Sequence, residues 1–319
     1  MACEFEVCLN AGQHASGTEI AIEALDLLGP LEQQMSVFRP DSEISRVNFL
    51  AAEQPVEVEP RLFEVLELAL TLHRETDGAY DITSGPLWEV WGFARRVGAV
   101  PTPEQIAEAR LRVGSQFVEL DHQRGTVRFT RSGVKLNLGS IGKGYTVDRL
   151  AERLTVGGIT DFLLHGGNSS VLARGSAGQV PNLPSAASYR LAARGWTIGV
   201  RDPLHPDRRL GEIRLENRAV GTSGTQFQFF RHKGRRYGHI LDPRTGWPAE
   251  GVLSATVLAP TAALADGLST AFYVMGPEAA LTYCHSRPDI AAVLICPARG
   301  GAGWEIHQAG LSGEDWTPQ

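Results

Sequence analysis

The sequence predicts an α+β fold of mostly antiparallel sheets with flanking helices. Three observations carry this: stretches of helical period stand at the start and middle of the chain, alternating stretches lie between them as meanders, and no internal repeat is visible. At 319 residues the chain can bury a large core, either as one domain or as two lobes.

Taken in order, CEFEVCLN alternates as a strand does, and TEIAIEALDLLGPLEQQMSVF, after a polar turn, reads as one amphipathic helix. RPDSEISRVN reads as a loop with a short capped turn, with Ser42 and Glu43 also suited to a helix cap. Apolar residues at helical spacing predict a helix from Pro60 to Arg74. The following TDGAYDITSGPLWEVWGF has no regular period; with its glycines, tryptophans and Asp residues it suits a binding loop. TPEQIAEARLRVG starts a helix in Thr-x-x-Gln fashion, and FVELDHQRGTVRFTRSGVKLNLG reads as a hairpin turning near Arg124 and Gly125. Glycines then lead straight into a helix in GSIGKGYTVDRLAERL, and DFLLHGGNSSVLARG is a strand broken at Gly166 and Gly167. Residues 176–194 are poor in large apolar groups and read as an inserted flexible loop. WTIGVRDPL, GEIRLENRAVGTSG and TQFQFFRHKGRRYGHILDP read as successive strands of one antiparallel meander. LSATVLAP is a strand, ALADGLSTAFYVMG and PEAALTYCHSR are helices, DIAAVLICPA is a strand, and residues 313–319 are expected to fray.

A formal charge of -6 and a pI near 5.9 argue against a protein that binds nucleic acid by neutralising phosphates. Cys3, Cys8, Cys284 and Cys296 form no CxxC pair, so neither a disulfide framework nor a zinc site is indicated. No apolar run approaches the roughly 18 residues that span a bilayer. The N-terminus lacks the pattern of a signal peptide, and the expected location of the chain as given is the cytoplasm.

Two stretches carry the chemistry. In YGHILDPRTGWPAEGVLSATVLAPTAALADGLST, the Asp-Pro-Arg-Thr-Gly turn fixes the backbone beside His239 and Arg244. Beyond it, Asp266 and Thr270 stand four residues apart on one helix face. A carboxylate and a hydroxyl presented together are hard ligands suited to Mg²⁺, although the plainer reading of the pair alone is a helix-dipole Asp with a Thr bonding back along the helix. The second stretch, GSIGKGY, offers a helix terminus and Lys143 to a phosphate, without the spacing of a P-loop; a solvated lysine at a helix start explains Lys143 equally.

Seven blocks in one order, MSVFRPDSEISRVN, DGAYDITSGPLWEVWGF, LNLGSIGKGYTVD, LLHGGNSSVLARG, GTSG, HILDPRTGWPA and ADGLSTAFYVMG, resemble the ApbE-like flavin transferases, the FAD:protein FMN transferases. The likeness runs from about Phe38 to Gly276. It implies a single transferase domain over residues 1–319, built as two lobes with the flavin and Mg²⁺ site between them. It also implies Mg²⁺-dependent cleavage of the FAD diphosphate, with FMN moved to a Thr or Ser hydroxyl on the surface of an acceptor flavoprotein and AMP released. On this resemblance Asp266 and Thr270 are metal ligands, with a backbone carbonyl near Ser140 as a third. Phe38 stacks on the flavin or adenine, and Ala79, Tyr80 and Asp81 contact FAD, with Asp81 accepting from a ribose or adenine group. Asn137 and Lys143 border the diphosphate, the Ile240 backbone faces the adenine, and His239 is the candidate base, its competing role being to brace the turn. Asn137 stands where the family usually has Asp, Gly238 where a polar residue is common, and Gln226 where an aromatic is frequent. Two further readings stay open: an FAD pyrophosphatase giving FMN and AMP, and a non-catalytic FAD-binding or storage protein.

Overall fold

The computed structural model describes residues 3–167, 169–175, 189–191, 195–225, 228–300 and 303–319. The first half of the chain forms β1 (Phe5–Leu9), α1 (Gly17–Leu25), α2 (Leu28–Met35), α3 (Glu43–Leu50), β2 (Val56–Glu57), α4 (Pro60–Glu75), α5 (Gly85–Val90), α6 (Pro103–Arg110), β3 (Val118–Asp121), β4 (Thr126–Phe129) and α7 (Gly142–Val156). There follow β5 (Phe162–Gly166), β6 (Ser170–Arg174), β7 (Tyr189–Leu191), β8 (Trp196–Arg201), β9 (Arg209–Leu215), β10 (Ala219–Gly224), β11 (Phe229–His232) and β12 (Arg235–Gly238). The chain ends with β13 (Ser254–Ala259), α8 (Ala262–Met275), α9 (Pro277–Ser286), β14 (Ala291–Pro297), β15 (Trp304–Ala309) and β16 (Trp316–Pro318).

The centre is a seven-stranded antiparallel sheet ordered β1-β5-β6-β10-β13-β14-β15. Its inner strands β13 and β14 are apolar and buried on both faces because both faces are covered there. Along β14, Ala292, Leu294 and Cys296 join the core beneath the helices, while Ala291, Val293 and Ile295 meet Trp196, Ile213 and Trp316 of the four-stranded sheet β16-β9-β8-β7. The strand period of two thus produces three layers: helices, central sheet and outer sheet. Glycine at two crossings lets the layers close. A Cβ on Gly144 would overlap the carbonyl oxygen of Ala262, and one on Gly221 would overlap the Ala265 carbonyl, so α7 and β10 both press directly on the start of α8.

The α+β class with antiparallel sheets holds. Several expectations about particular segments do not. The first long helix is two, since Pro30 has no N–H to continue the ladder and is tolerated only in the first turn of α2. The stretch read as a loop at 39–48 carries most of helix α3, capped by Ser42 Oγ accepting from Ser45 N–H at 3.1 Å. Within the irregular 76–93 stretch, Gly85–Val90 form a short helix. The expected single meander is distributed over three sheets: β8 and β9 lie in the outer sheet, β10 in the central one, and β11 pairs only with β12. The tail expected to fray is held instead, as β16 pairs with β9, the Gln319 N–H reaches Leu210 O at 2.9 Å and Trp316 is 7% exposed. Burial of the indole, about 1.5–3 kcal/mol for a large apolar side chain, acts together with the strand pairing to hold the tail. Residues 176–194, read as an inserted loop, lie outside the described residues except for Tyr189–Leu191, which form β7; Gln226 lies outside them as well.

Cys3, Cys8, Cys284 and Cys296 are free. Among the described residues no helix is long and apolar enough to cross a membrane.

Candidate active site

A cavity of about 470 Å³ opens where the loops after α4, the start of α7, strands β6, β8 and β10 and the His239 turn converge. This volume suits a cofactor-sized ligand. Of the residues singled out in the sequence, Ala79, Tyr80, Asp81, Asn137, Ser140, Lys143, His239, Ile240, Asp266 and Thr270 all line it.

Asp266 sits early in α8 and is 4% exposed. Its Oδ2 accepts the Gly144 N–H at 2.8 Å, its Oδ1 accepts the Ser170 hydroxyl at 2.6 Å, and Lys143 Nζ stands 3.8 Å from Oδ2. Burial pushes the carboxyl above its ordinary range, against the opposing pull of Lys143, Ser170 and Gly144. The helix terminus expected to receive a phosphate therefore gives one of its amides to Asp266. That amide is one of the first-turn donors that a helix leaves without a partner of its own. Ser140, just before this helix, lies at the cavity wall. Thr270 does not bond back along α8. Its hydroxyl meets Ser223 Oγ of β10 at 3.1 Å, and Ser269 is the residue that returns a hydrogen bond to the Asp266 carbonyl, at 2.8 Å. Ser170, Ser223 and the Gly144 amide are functional neighbours the sequence reading did not single out. Their blocks LLHGGNSSVLARG, GTSG and LNLGSIGKGYTVD carried the signal, but only packing shows which atoms point at Asp266 and Thr270.

The donors gathered here are hard oxygens, and among the described residues no cluster of three His, Cys, Asp or Glu exists. One carboxylate, one hydroxyl and one carbonyl fit Mg²⁺, which retains water or phosphate oxygens for its remaining positions, and do not fit a transition-metal cage.

His239 occupies the other side. Its Nδ1 lies 3.0 Å from the Gln228 carbonyl, which has no proton to give, so Nδ1 carries the hydrogen and the neutral ring keeps its lone pair on Nε2. Trp88 Nε1–H donates to the His239 carbonyl at 3.2 Å and sets its ring edge-on to the imidazole at 6.2 Å. Burial lowers the His239 pKa; the Gln228 bond raises it in part, and the nearby Lys143 charge lowers it further. The turn that follows is as rigid as its sequence implies. Gly246 N–H reaches Asp242 O at 2.7 Å with φ +79°, and Arg244 pairs with the Asp242 carboxylate at 2.9 and 3.0 Å. Arg244 thus locks the turn. The Ile240 carbonyl accepts from Ala249 N–H at 2.9 Å.

Two candidates stand apart from the others. Phe38 does not line the cavity; it stands 71% exposed between α2 and α3. Asp81 reaches the cavity wall, but its side chain is 1% exposed and its oxygens are already taken by Thr83 N–H and Oγ, Ser115 N–H and Oγ, and His73 Nδ1 at 3.1 Å. Burial opposes its ionisation, yet these partners win and hold it below the ordinary carboxylate range. Its lone pairs serve the turn that carries Tyr80. Tyr80 is buried and its Oη accepts from Ser140 Oγ at 3.1 Å, tying the turn after α4 to the start of α7. Asn137 Oδ1 accepts the Gly139 N–H at 2.9 Å, a bond an Asp would also make.

Comparison with known proteins places the chain as a whole. A sequence model described as the ApbE family matches residues 1–294. The FAD:protein FMN transferase of Haemophilus influenzae is 33% identical over 292 residues, covering 89% of this chain and 80% of the relative. That of Treponema pallidum is 32% identical and covers 88% of this chain and 79% of its own. Among solved structures, the flavin transferase ApbE from Vibrio cholerae superposes with a TM-score of 0.81 at 28% identity, over 97% of this chain and 94% of that one. The apo flavinyl transferase ApbE of Pseudomonas stutzeri gives a TM-score of 0.79, also at 28% identity, over 97% and 98%. Matched from its first strand to within its last sheet strands, this chain belongs to the ApbE family.

Proposed function

We propose that the protein is an Mg²⁺-dependent FAD:protein FMN transferase, which moves FMN from FAD to a Thr or Ser hydroxyl of an acceptor flavoprotein and releases AMP. One observation carries the reading: a single cavity brings together the Asp266, Thr270 and Ser140 oxygens and a His239 whose Nε2 lone pair is free among the described residues. Asp266, Thr270 and the Ser140 carbonyl would hold Mg²⁺, whose charge would offset that of the FAD diphosphate. The remaining work falls to the chain. Lys143 adds a positive charge at the diphosphate. Trp88 and the Gln228 carbonyl fix the imidazole, and His239 Nε2 takes the acceptor proton as the new O–P bond forms and the bond to AMP breaks. Retention of the Gly139 bond by Asn137 supports an intact loop at the diphosphate side.

Mixing the protein with FAD, Mg²⁺ and a candidate acceptor, then measuring acceptor mass and AMP, tests this. An FMN-sized mass gain with AMP is expected. AMP alone would identify a pyrophosphatase, and retained FAD a storage protein.

A further inference from the structure

We propose that the β11–β12 hairpin is the docking surface for the acceptor protein, and that it takes an acidic segment beside the acceptor hydroxyl. This rests on the transferase reading. The hairpin's inner face is an anchor: Phe230 and Tyr237 pair across the strands with rings stacked at 5.3 Å and lie against Trp91 at 6.3 and 5.5 Å. Phe230 also contacts Phe93 at 5.5 Å and fills the space left by the missing side chain of Gly98. A surface loop held by that many aromatic contacts is a rigid platform.

Its outer face has a different character. Phe229 is 39% exposed and carries the Arg236 guanidinium 3.9 Å from its ring centroid, with Arg231 opposite Arg236 in register. Arg231, Lys233, Arg235 and Arg236 are exposed, and residues 228–241 contain no Asp or Glu, in a chain of net charge -6. Arg235 has an acidic partner, Glu250 at 2.6 Å; among the described residues Arg231 and Lys233 have none. Exposed cations grouped around an aromatic, on an otherwise acidic protein, complement an acidic partner and steer it.

Position selects a protein partner over the cofactor. The hairpin begins at Gln228 and runs into His239, and of these residues only those two line the cavity. Arg231 and Lys233 are exposed and stand outside the cavity lining, while the Arg236 guanidinium donates to the Thr225 carbonyl.

The test uses the full chain with FAD and Mg²⁺, and two fluorescein-labelled peptides with one central Thr, flanked by Asp in one and by Lys in the other. The double variant Arg231→Glu/Lys233→Glu is expected to raise KM for the Asp-flanked peptide about tenfold at low salt and to leave KM for FAD unchanged. The difference should shrink as salt screens it. An unchanged peptide KM, equal use of the Lys-flanked peptide, or a parallel rise in KM for FAD would each overturn the proposal. Thermal melting separates a folding defect, and Arg231→Gln should give a smaller loss in the same direction. Peptide binding by anisotropy keeps the two readings apart: wild-type protein that binds the acidic peptide, loses it on charge reversal and transfers no FMN would refute the transferase and leave the docking surface standing.

Discussion

The two sides of the cavity are built in opposite ways. At the Asp266 side, every atom is held by the core: two glycine crossings press α7 and β10 onto α8, and the carboxylate is 4% exposed with an amide and a hydroxyl on its oxygens. On the His239 side, a half-buried imidazole is set by one carbonyl and one indole, next to an exposed hairpin. Fold and chemistry share the same bonds at the first side and are separable at the second. Substitutions should therefore cost stability and activity together near Asp266, and activity alone near His239.

The largest effect is expected from Asp266→Ala, which should reduce AMP release by at least about 10³-fold, a loss of several kcal/mol of charge stabilisation. It should also lower stability by about 1–3 kcal/mol, because the Gly144 N–H and Ser170 hydroxyl lose their partner in a buried place. Turnover that persisted with Mg²⁺ would break the assignment of this side. His239→Gln is the sharpest contrast: FMN transfer should fall about 10²- to 10³-fold while the melting temperature stays where it was. A loss of stability equal to that of Asp266→Ala would erase the distinction between the sides.

Gly144→Ala comes next. The added Cβ overlaps Ala262 O, so α7 must move off α8, and urea denaturation should show about 1–3 kcal/mol lost. Activity should fall with it, since the same shift moves the Gly144 amide from Asp266.

Smaller effects sharpen the picture through pH. The His239 pKa is lowered from its ordinary 6.5, and the neutral ring is the working form, so transfer rates should decline with acid only below that value. A limb centred above 6.5 would assign the proton to another group. His73 provides the opposite sign. Burial lowers its pKa, but the hydrogen bond and charge of Asp81 outweigh it, and the folded value lies above 6.5. Its stabilising contribution is then complete below pH 6.5 and lost as pH rises through the folded value. His73→Gln should consequently destabilise most at acid pH, with the gap from wild type closing as pH increases, and should raise KM for FAD only a few-fold, roughly 1 kcal/mol or less for a group acting through a partner.

Much of both sides was readable from the chain because local geometry wrote it. The i, i+4 spacing put Asp266 and Thr270 on one face, Pro243 and Gly246 declared the turn after His239, and Thr102 and Gln105 form the capping box their spacing implied. What was not readable depends on long-range choice. Alternation shows that β10 has two faces and does not say that its neighbours are β6 and β13 in place of β9. A motif Asp does not announce the bonds it makes within the chain, as Asp81 does to Thr83, Ser115 and His73. Phe38 likewise gave no sign in the sequence that its ring stands in solvent beyond the cavity wall.

The direct measurement of the metal side is an anomalous difference map from crystals grown with FAD and Mn²⁺ in place of Mg²⁺. The account predicts a peak shared by the Asp266 carboxylate, the Thr270 hydroxyl, the Ser140 carbonyl and the FAD diphosphate. A metal held elsewhere, with the Asp266 carboxylate bonded only to Gly144 and Ser170, would contradict it.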